Sequence, residues 1–283
     1  MPRLCDLGDH NAVRDQLVIR LILIDIDGTL VGKQGVHATT WPALAAAQAA
    51  GARVALCTGR IGCGSALEYA QRVAPEGLHV FQSGAVISLP GAPAAYVSTL
   101  PAVAVRELVA ISRRESEPIE LYTERGFFLE RNTELTRVHA HHLEMEPEVR
   151  DLMQIDALIA RAQWVVHESR WPHFRELTLA IGGLDANPAT APWSPGTVFS
   201  NITRAGTSKV SAMRWLAEHH GIAMAEIAMI GDGENDLDAI GAAGLGIAMG
   251  NAPESVKRAA REIVGDVDAG GLAEAVQAAM TVR

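Results

Sequence analysis

Short apolar runs punctuate both ends of this chain. Leu21-Ile22-Leu23-Ile24, Val54-Ala55-Leu56-Cys57, His79-Val80-Phe81, Ile227-Ala228-Met229-Ile230 and Gly246-Ile247-Ala248-Met249 are too short for helices and show no polar alternation. That is the pattern of strands buried on both faces. Helical stretches separate them. Thr39-Thr40-Trp41-Pro42 opens an alanine-rich helix, with Thr40 as its expected N-cap and Gly51 as its stop. Further helices are expected around Ser65 to Val73, from Ser208 through His219 to a stop at Gly221, and from Asp236 to Gly241 or Gly244. Pro253–Arg261 and Leu272–Met280 complete the set, with Ile263-Val264 as a last short strand. Strand and helix in alternation predict a doubly wound parallel sheet with right-handed crossovers, a Rossmann-like core.

The rhythm changes in the middle. Leu89-Pro90-Gly91-Ala92-Pro93 is a cluster of breakers, and a helix is expected from Ala102 to Arg114. Ile119–Thr123 and Phe127–Leu129 flank Glu124-Arg125-Gly126 as a hairpin. Two polar stretches, Thr133–His142 and Leu152–Ala162, read as helices, and Phe174–Ile181 as a strand. Proline-rich Ala186–Gly196 reads as a loop, and Thr197–Thr203 as the strand pairing with Phe174–Ile181. The expectation is an α+β unit inserted at 89–203 into a parallel core built from 1–88 and 204–283.

Composition narrows the function classes. Lysine and arginine total 24 against 33 acids, a net charge of −9 with no basic run, which argues against a nucleic-acid partner. No apolar stretch is long enough to cross a bilayer, so no membrane partner is expected. The first twenty residues, with Asp6, Asp9, His10 and Asp15, lack the apolar core of a signal peptide and are expected to lead into the first strand. Cys5, Cys57 and Cys63 are few and odd in number, consistent with reduced thiols and a cytoplasmic setting. Cys57 and Cys63 lack the second pair that a structural metal site needs.

The polar residues sit where the strands end. Asp25 and Asp27 follow the first strand, two apart and so on one side of it. Thr58 and Gly59 follow the second; Asp232, Asn235 and Asp236 follow a later one; Lys209 opens a helix. Carboxyl ends of parallel strands converge on one edge, so these groups share a pocket. Several carboxylates there call for a hard divalent cation, with Mg²⁺ the best match to oxygen ligands and retained water. Carboxylates, cation, lysine and hydroxyl together describe a phosphoryl site. Taken singly, Thr58 could be only a helix N-cap, Lys209 a surface lysine, and Asp232 and Asp236 caps of the next helix. Arg60 reads as structural. His139, His141 and His142 lack the paired spacing of metal ligands and read as a solvated helix face.

These residues carry a resemblance. Asp25-Ile26-Asp27-Gly28-Thr29-Leu30, Thr58-Gly59-Arg60, Lys209 and Gly231-Asp232-Gly233-Glu234-Asn235-Asp236 are similar to the four ordered motifs of the haloacid dehalogenase-like phosphohydrolases. The insertion after the second motif, Met249-Gly250-Asn251-Ala252-Pro253 and Lys257–Ala260 resemble the Cof-type branch, whose α+β insertion is a cap. Val210, Ser83 and Asn201 depart from residues common in that branch. The resemblance implies Asp25 as nucleophile and Asp27 as acid and then base. It implies Mg²⁺ on Asp25, Asp232 and the Asp27 carbonyl, supported by Asn235 and Asp236. Thr58, the Gly59 amide and Lys209 would hold phosphoryl oxygens. The expected activity is Mg²⁺-dependent hydrolysis of a small phosphorylated metabolite, a sugar or polyol phosphate, through an aspartyl-phosphate. A phosphomutase or phosphotransferase acting on sugar phosphates, a phosphoryl-accepting signalling module and a non-catalytic binding protein are the alternatives. Tyr122, Thr123 and Arg125 on the hairpin are the first candidates for substrate recognition. Oligomeric state has no signature in the sequence.

Overall fold

The structure is a computed structural model and describes residues 18–190 and 194–281. Cys5, most of the leader and part of the proline-rich loop lie outside the described residues. The chain begins with β1 (Leu21–Ile24), α1 (Thr40–Ala49), β2 (Arg53–Leu56), α2 (Gly64–Val73), β3 (His79–Phe81), β4 (Val86–Ser88) and β5 (Ala94–Val97). Next come α3 (Ala102–Glu115), β6 (Ile119–Tyr122), β7 (Phe127–Leu129), α4 (Glu134–His142), β8 (Glu148–Val149) and β9 (Arg161–His167). Then follow α5 (Trp171–Ala180), β10 (Leu184–Ala189), β11 (Thr197–Arg204), α6 (Lys209–His220), β12 (Ile227–Gly231) and α7 (Leu237–Ala242). The chain closes with β13 (Leu245–Ala248), α8 (Glu254–Ala259), β14 (Glu262–Ile263) and α9 (Gly271–Thr281).

The core sheet is parallel, in the order β14-β13-β12-β1-β2. Its first strand lies between β12 and β2, because the chain crosses to β2 on one side and returns to β12 on the other. That reversal makes the carboxyl end of β1 a topological switch point, where such sheets open a crevice. Side chains of β1 alternate between two apolar layers. Ile22 and Ile24 pack with Leu44, Ala47 and Leu272 from α1 and α9. Leu21 and Leu23 pack with Met213, Leu216 and Ile240 from α6 and α7. Helix α6 begins at the expected cap: Ser208 Oγ accepts from the Ser211 amide at 3.1 Å and Ser211 Oγ accepts from the Ser208 amide at 2.9 Å. Gly221 ends it with φ +61°. At α1 the expectation is off by one residue: the helix already includes Thr40, and Thr39 before it makes no side-chain cap bond.

A three-stranded antiparallel sheet, β3-β4-β5, extends from the core near β2. Beyond it lies the inserted α+β cap, a six-stranded sheet in the order β10-β11-β9-β6-β7-β8. Helices α3 and α5 cover one face, around Leu108, Trp164, Phe174 and Ile202.

Three cap expectations are corrected. Leu152–Ala162 holds one short 3₁₀ turn, and β9 begins at its end. The run Arg161-Ala162-Gln163-Trp164-Val165-Val166 alternates in polarity and carries β-branched residues, which favours a strand. Phe174–Ile181 is not a strand but most of α5: Pro172 sits in the first turn, and Trp171, Phe174 and Thr178 recur at helical spacing on the buried side. Thr197–Thr203 therefore pairs with β9 and with β10, whose Ala186–Ala189 were expected to be loop. The short strands β4 and β5 have no counterpart in the expectation, because the breakers at 89–93 make their turn.

Phe174 is fully buried, with its ring centroid 4.8 Å from that of Trp164. Phe174→Ala should destabilise the cap by about 3–5 kcal/mol. Urea unfolding followed by tryptophan fluorescence measures it, and a loss under about 1 kcal/mol would contradict this packing.

Candidate active site

The acid cluster assembles at the switch point. Asp25, one residue beyond β1, is buried at 5% exposure. Lys209, the first residue of α6, donates from Nζ to Asp25 Oδ1 at 2.8 Å and to Asp236 Oδ1 at 2.5 Å. Asp236 is fully buried, and its other oxygen accepts from the amides of Asp232 and Gly233 at 3.2 and 3.0 Å. Lys209 is buried too, at 3%. Burial opposes its charge, but Asp236 and Asp25 outweigh that and hold its pKa above the ordinary lysine value.

One oxygen each of Asp25, Asp232 and Asp236 lies within 4.8 Å of the others. Thr29 donates to Asp232 Oδ1 at 3.0 Å and Asn251 Nδ2 to Asp232 Oδ2 at 3.0 Å. The same Asn251 nitrogen bonds the Gly28 carbonyl at 2.8 Å, tying the turn after β1 to the loop after β13. Gly28, with φ +76°, lies so close that a Cβ there would stand 2.0 Å from Asp232 Oδ2. Only glycine leaves room for that carboxylate.

Burial is the largest influence on Asp25, with the charge of Asp236 adding to it. Together they outweigh Lys209 and push the Asp25 carboxyl up to about 8. Burial likewise pushes Asp232 up to about 6, against the Thr29 hydrogen bond. Three acids facing one lysine therefore carry more negative charge than their surroundings balance. An added cation corrects that imbalance, so the cluster suits a divalent metal. Asp236, occupied by Lys209 and two amides, positions the others; Asp25 and Asp232 are the freer ligands.

Asp27 does not join this cluster. It is exposed and takes two bonds from Arg60, Nε to Oδ2 at 2.8 Å and Nη2 to Oδ1 at 2.6 Å. Arg60 also reaches Ser65 Oγ at 2.9 Å. Thr58 is buried, and its Oγ accepts from the Arg60 amide at 3.2 Å. It shapes the turn rather than capping α2, which starts six residues later. Beside Gly59 lie Ser83 Oγ, 3.3 Å from where a Cβ would stand, and Asn235 Nδ2 at 4.0 Å. Ser83 holds a left-handed backbone, φ +56°, directly after Gln82 at φ +50°. Strain of this kind collects at ligand-binding turns.

The cap closes over this edge. Ile61, three residues past Thr58, is buried among Tyr122, Phe127, Leu129 and Ala140 of the cap. Gln82 Nε2 donates to the Thr123 carbonyl at 2.7 Å, and the Ser65 amide to Glu144 at 3.3 Å. Of the hairpin candidates, Tyr122 is buried and donates to Glu120 at 2.6 Å. The Thr123 hydroxyl bonds within its own turn, and exposed Arg125 reaches the Gly91 carbonyl at 3.3 Å. His139 is no solvated residue: it is buried and its Nδ1 pairs with Glu120 at 2.9 Å, while His141 and His142 are exposed. Arg60 was expected to be structural, and Thr29, Asn251 and Arg161 had no assigned part in the sequence reading. For Arg60 and Asn251 the signal was present in the quoted motifs; for Arg161 there was none.

The fold and this acid cluster define a class. A family model described as haloacid dehalogenase-like hydrolase matches residues 22–276, and the chain belongs to that family. YxeH of Bacillus subtilis is 30% identical over 257 residues, covering 85% of this chain and 91% of that one. A phosphoglycolate phosphatase of Archaeoglobus fulgidus is 44% identical over 77 residues, 27% of this chain and 34% of that enzyme. The solved structure of BT1666 from Bacteroides thetaiotaomicron, described among phosphatases of the superfamily, superposes with a TM-score of 0.79. It is 26% identical and covers 96% of this chain and 99% of that one. Matches to three curated relatives span 34%, 42% and 45% of those proteins' lengths. Among the described residues, no helix is long and apolar enough to cross a membrane.

The raised carboxyls set a pH dependence. Each acid binds its proton more tightly folded than unfolded. The stability this contributes is full below the ordinary value of 3.8 and is lost as pH rises through about 6 for Asp232 and about 8 for Asp25. A divalent cation should therefore raise Tm more at about pH 8 than at about pH 5.5. Differential scanning calorimetry at both values checks this; an equal rise would place the cation elsewhere. Asn251→Ala should weaken cation binding roughly 10-fold by loosening Asp232, read from the rise in Tm across a series of cation concentrations.

Proposed function

We propose that this chain is a Mg²⁺-dependent phosphatase acting on a small phosphomonoester, a sugar or polyol phosphate, through an aspartyl-phosphate. The observation that carries the reading is the buried Lys209 clamp on Asp25 beside Asp232 and Asp236. It fixes one oxygen of Asp25 and leaves the other for attack. Mg²⁺ on Asp25, Asp232 and the Asp27 carbonyl, supported by Asn235 and Asp236, would neutralise charge between an anionic nucleophile and an anionic substrate.

In this reading Asp25 forms a bond to phosphorus as the bond to the leaving alcohol breaks. Asp27 gives its proton to the leaving oxygen and then takes one from the water that attacks phosphorus, as the Asp25–phosphorus bond breaks and phosphate and the free Asp25 carboxylate are released. Thr58, the Gly59 amide and Lys209 hold the phosphoryl oxygens. Arg60, bidentate on Asp27, orients that carboxylate and must share it with the leaving group. The cap contacts at Ile61 and Gln82 support a small substrate, because a macromolecule would have to displace them.

Asp25→Asn should abolish phosphate release, by at least about 10³-fold, with Tm preserved. EDTA should stop turnover and Mg²⁺ restore it, with Ca²⁺ a poor substitute because it prefers a larger shell. Phosphate release from p-nitrophenyl phosphate and sugar phosphates measures both. A folded Asp25→Asn protein with wild-type turnover, or full activity after confirmed metal removal, would exclude the reading.

A further inference from the structure

Arg161 is a buried cation, bonded to the Tyr122 side chain and within reach of the Glu120 charge, but with no carboxylate within 4.0 Å among the described residues. It opens β9, where the register sets it opposite Tyr122, with Gln163 opposite Glu120. It is 7% exposed, and its guanidinium carbon lies 4.0 Å from the centre of the Tyr122 ring. One Nη1 donates to the Gly59 carbonyl at 3.4 Å, so the fork is turned toward the core turn that follows Thr58. Its Nε–H is buried and has no acceptor among the described residues.

The nearby carboxylate, Glu120, acts on the guanidinium through its charge and makes no direct ion pair with it among the described residues. Glu120 is engaged by the Tyr122 hydroxyl at 2.6 Å, His139 Nδ1 at 2.9 Å and Gln163 Nε2 at 3.1 Å. The arginines at 20, 60, 113, 114, 125, 150 and 170 each have a carboxylate within 4.0 Å, and all are more exposed than Arg161, which has none. Burying a guanidinium this way is unfavourable unless an anion completes it. A planar fork with a free donor suits an oxyanion in two-point contact. It stands on the cap side of the turn expected to hold the phosphoryl group.

We propose that Arg161 is a specificity-determining residue that binds an anionic group, a carboxylate or a second phosphate, on the alcohol portion of the substrate. The inference rests on the phosphatase reading and narrows its substrate class to phosphomonoesters bearing a second negative charge.

The test compares kcat/KM ratios within each protein, using matched substrates and Mg²⁺. Three-phosphoglycerate against glycerol 3-phosphate reads a carboxylate; fructose 1,6-bisphosphate against fructose 1-phosphate reads a second phosphate. The wild type should prefer the charged member of at least one pair by about 10-fold or more. Arg161→Gln should bring that ratio to near one, mainly through KM. Arg161→Lys, which keeps the charge and loses the fork, should fall between and serves if the glutamine variant does not fold. Hydrolysis of p-nitrophenyl phosphate with both wild-type ratios at or below one would overturn the inference and leave the phosphatase reading standing. A charged-substrate preference that survives in both variants would also overturn it. No hydrolysis of any ester would overturn the phosphatase reading and this inference with it.

Discussion

The buried contact of Lys209 with Asp25 and Asp236 is the interaction on which the rest of the site depends. It joins the end of β1, the start of α6 and the loop after β12, three elements brought together only by the parallel sheet. Buried charges are tolerated when paired and hydrogen-bonded, and removing one partner strands the others. Here the pairing is deliberately incomplete: one lysine faces two carboxylates directly, with a third at Asp232. The fold thus builds a cluster with room for one added positive charge.

Around that cluster, the supporting bonds fix positions. Ser208 and Ser211 lock the first turn of α6 and so the base of Lys209. Gly84 lies against the same turn, where a Cβ would come within 2.1 Å of the Ser208 carbonyl. Asn251 links Gly28 to Asp232, and its Oδ1 accepts from the Val267 amide at 3.0 Å. Groups far apart in sequence therefore hold one another at the carboxyl edge of the sheet.

The core was legible because its strands are buried on both faces and end in aspartate, threonine and glycine, so composition and punctuation agree. Asp25, Lys209, Asp232 and Asp236 came together as the strand-end argument implied, while Thr58 holds the turn after β2 through the Arg60 amide. The cap was less legible. Its strands carry polar residues on a covered face, so Arg161 and Ala162 at the start of β9 read as the end of a helix. Phe174–Ile181 was misread because its apolar residues are dense enough to suit either period, and Pro172 lies just outside the window. His139 passed for a surface residue because its partner, Glu120, is nineteen positions earlier and only the tertiary fold brings them together. Asp27 was placed beside Asp25 by strand geometry, yet Arg60 draws it to the exposed side.

Ile61 ties the cap to the turn after β2 by chain connectivity as well as by contact. It is 2% exposed, lodged in the cap three residues from Thr58. Lifting the cap as a body would bring that side chain into water, at about 1.5–3 kcal/mol. On that contribution alone, the raised conformer would be outnumbered by roughly ten- to a hundredfold. Exchange of small molecules with the enclosed edge would then draw on a minority population, with one isoleucine setting much of its size.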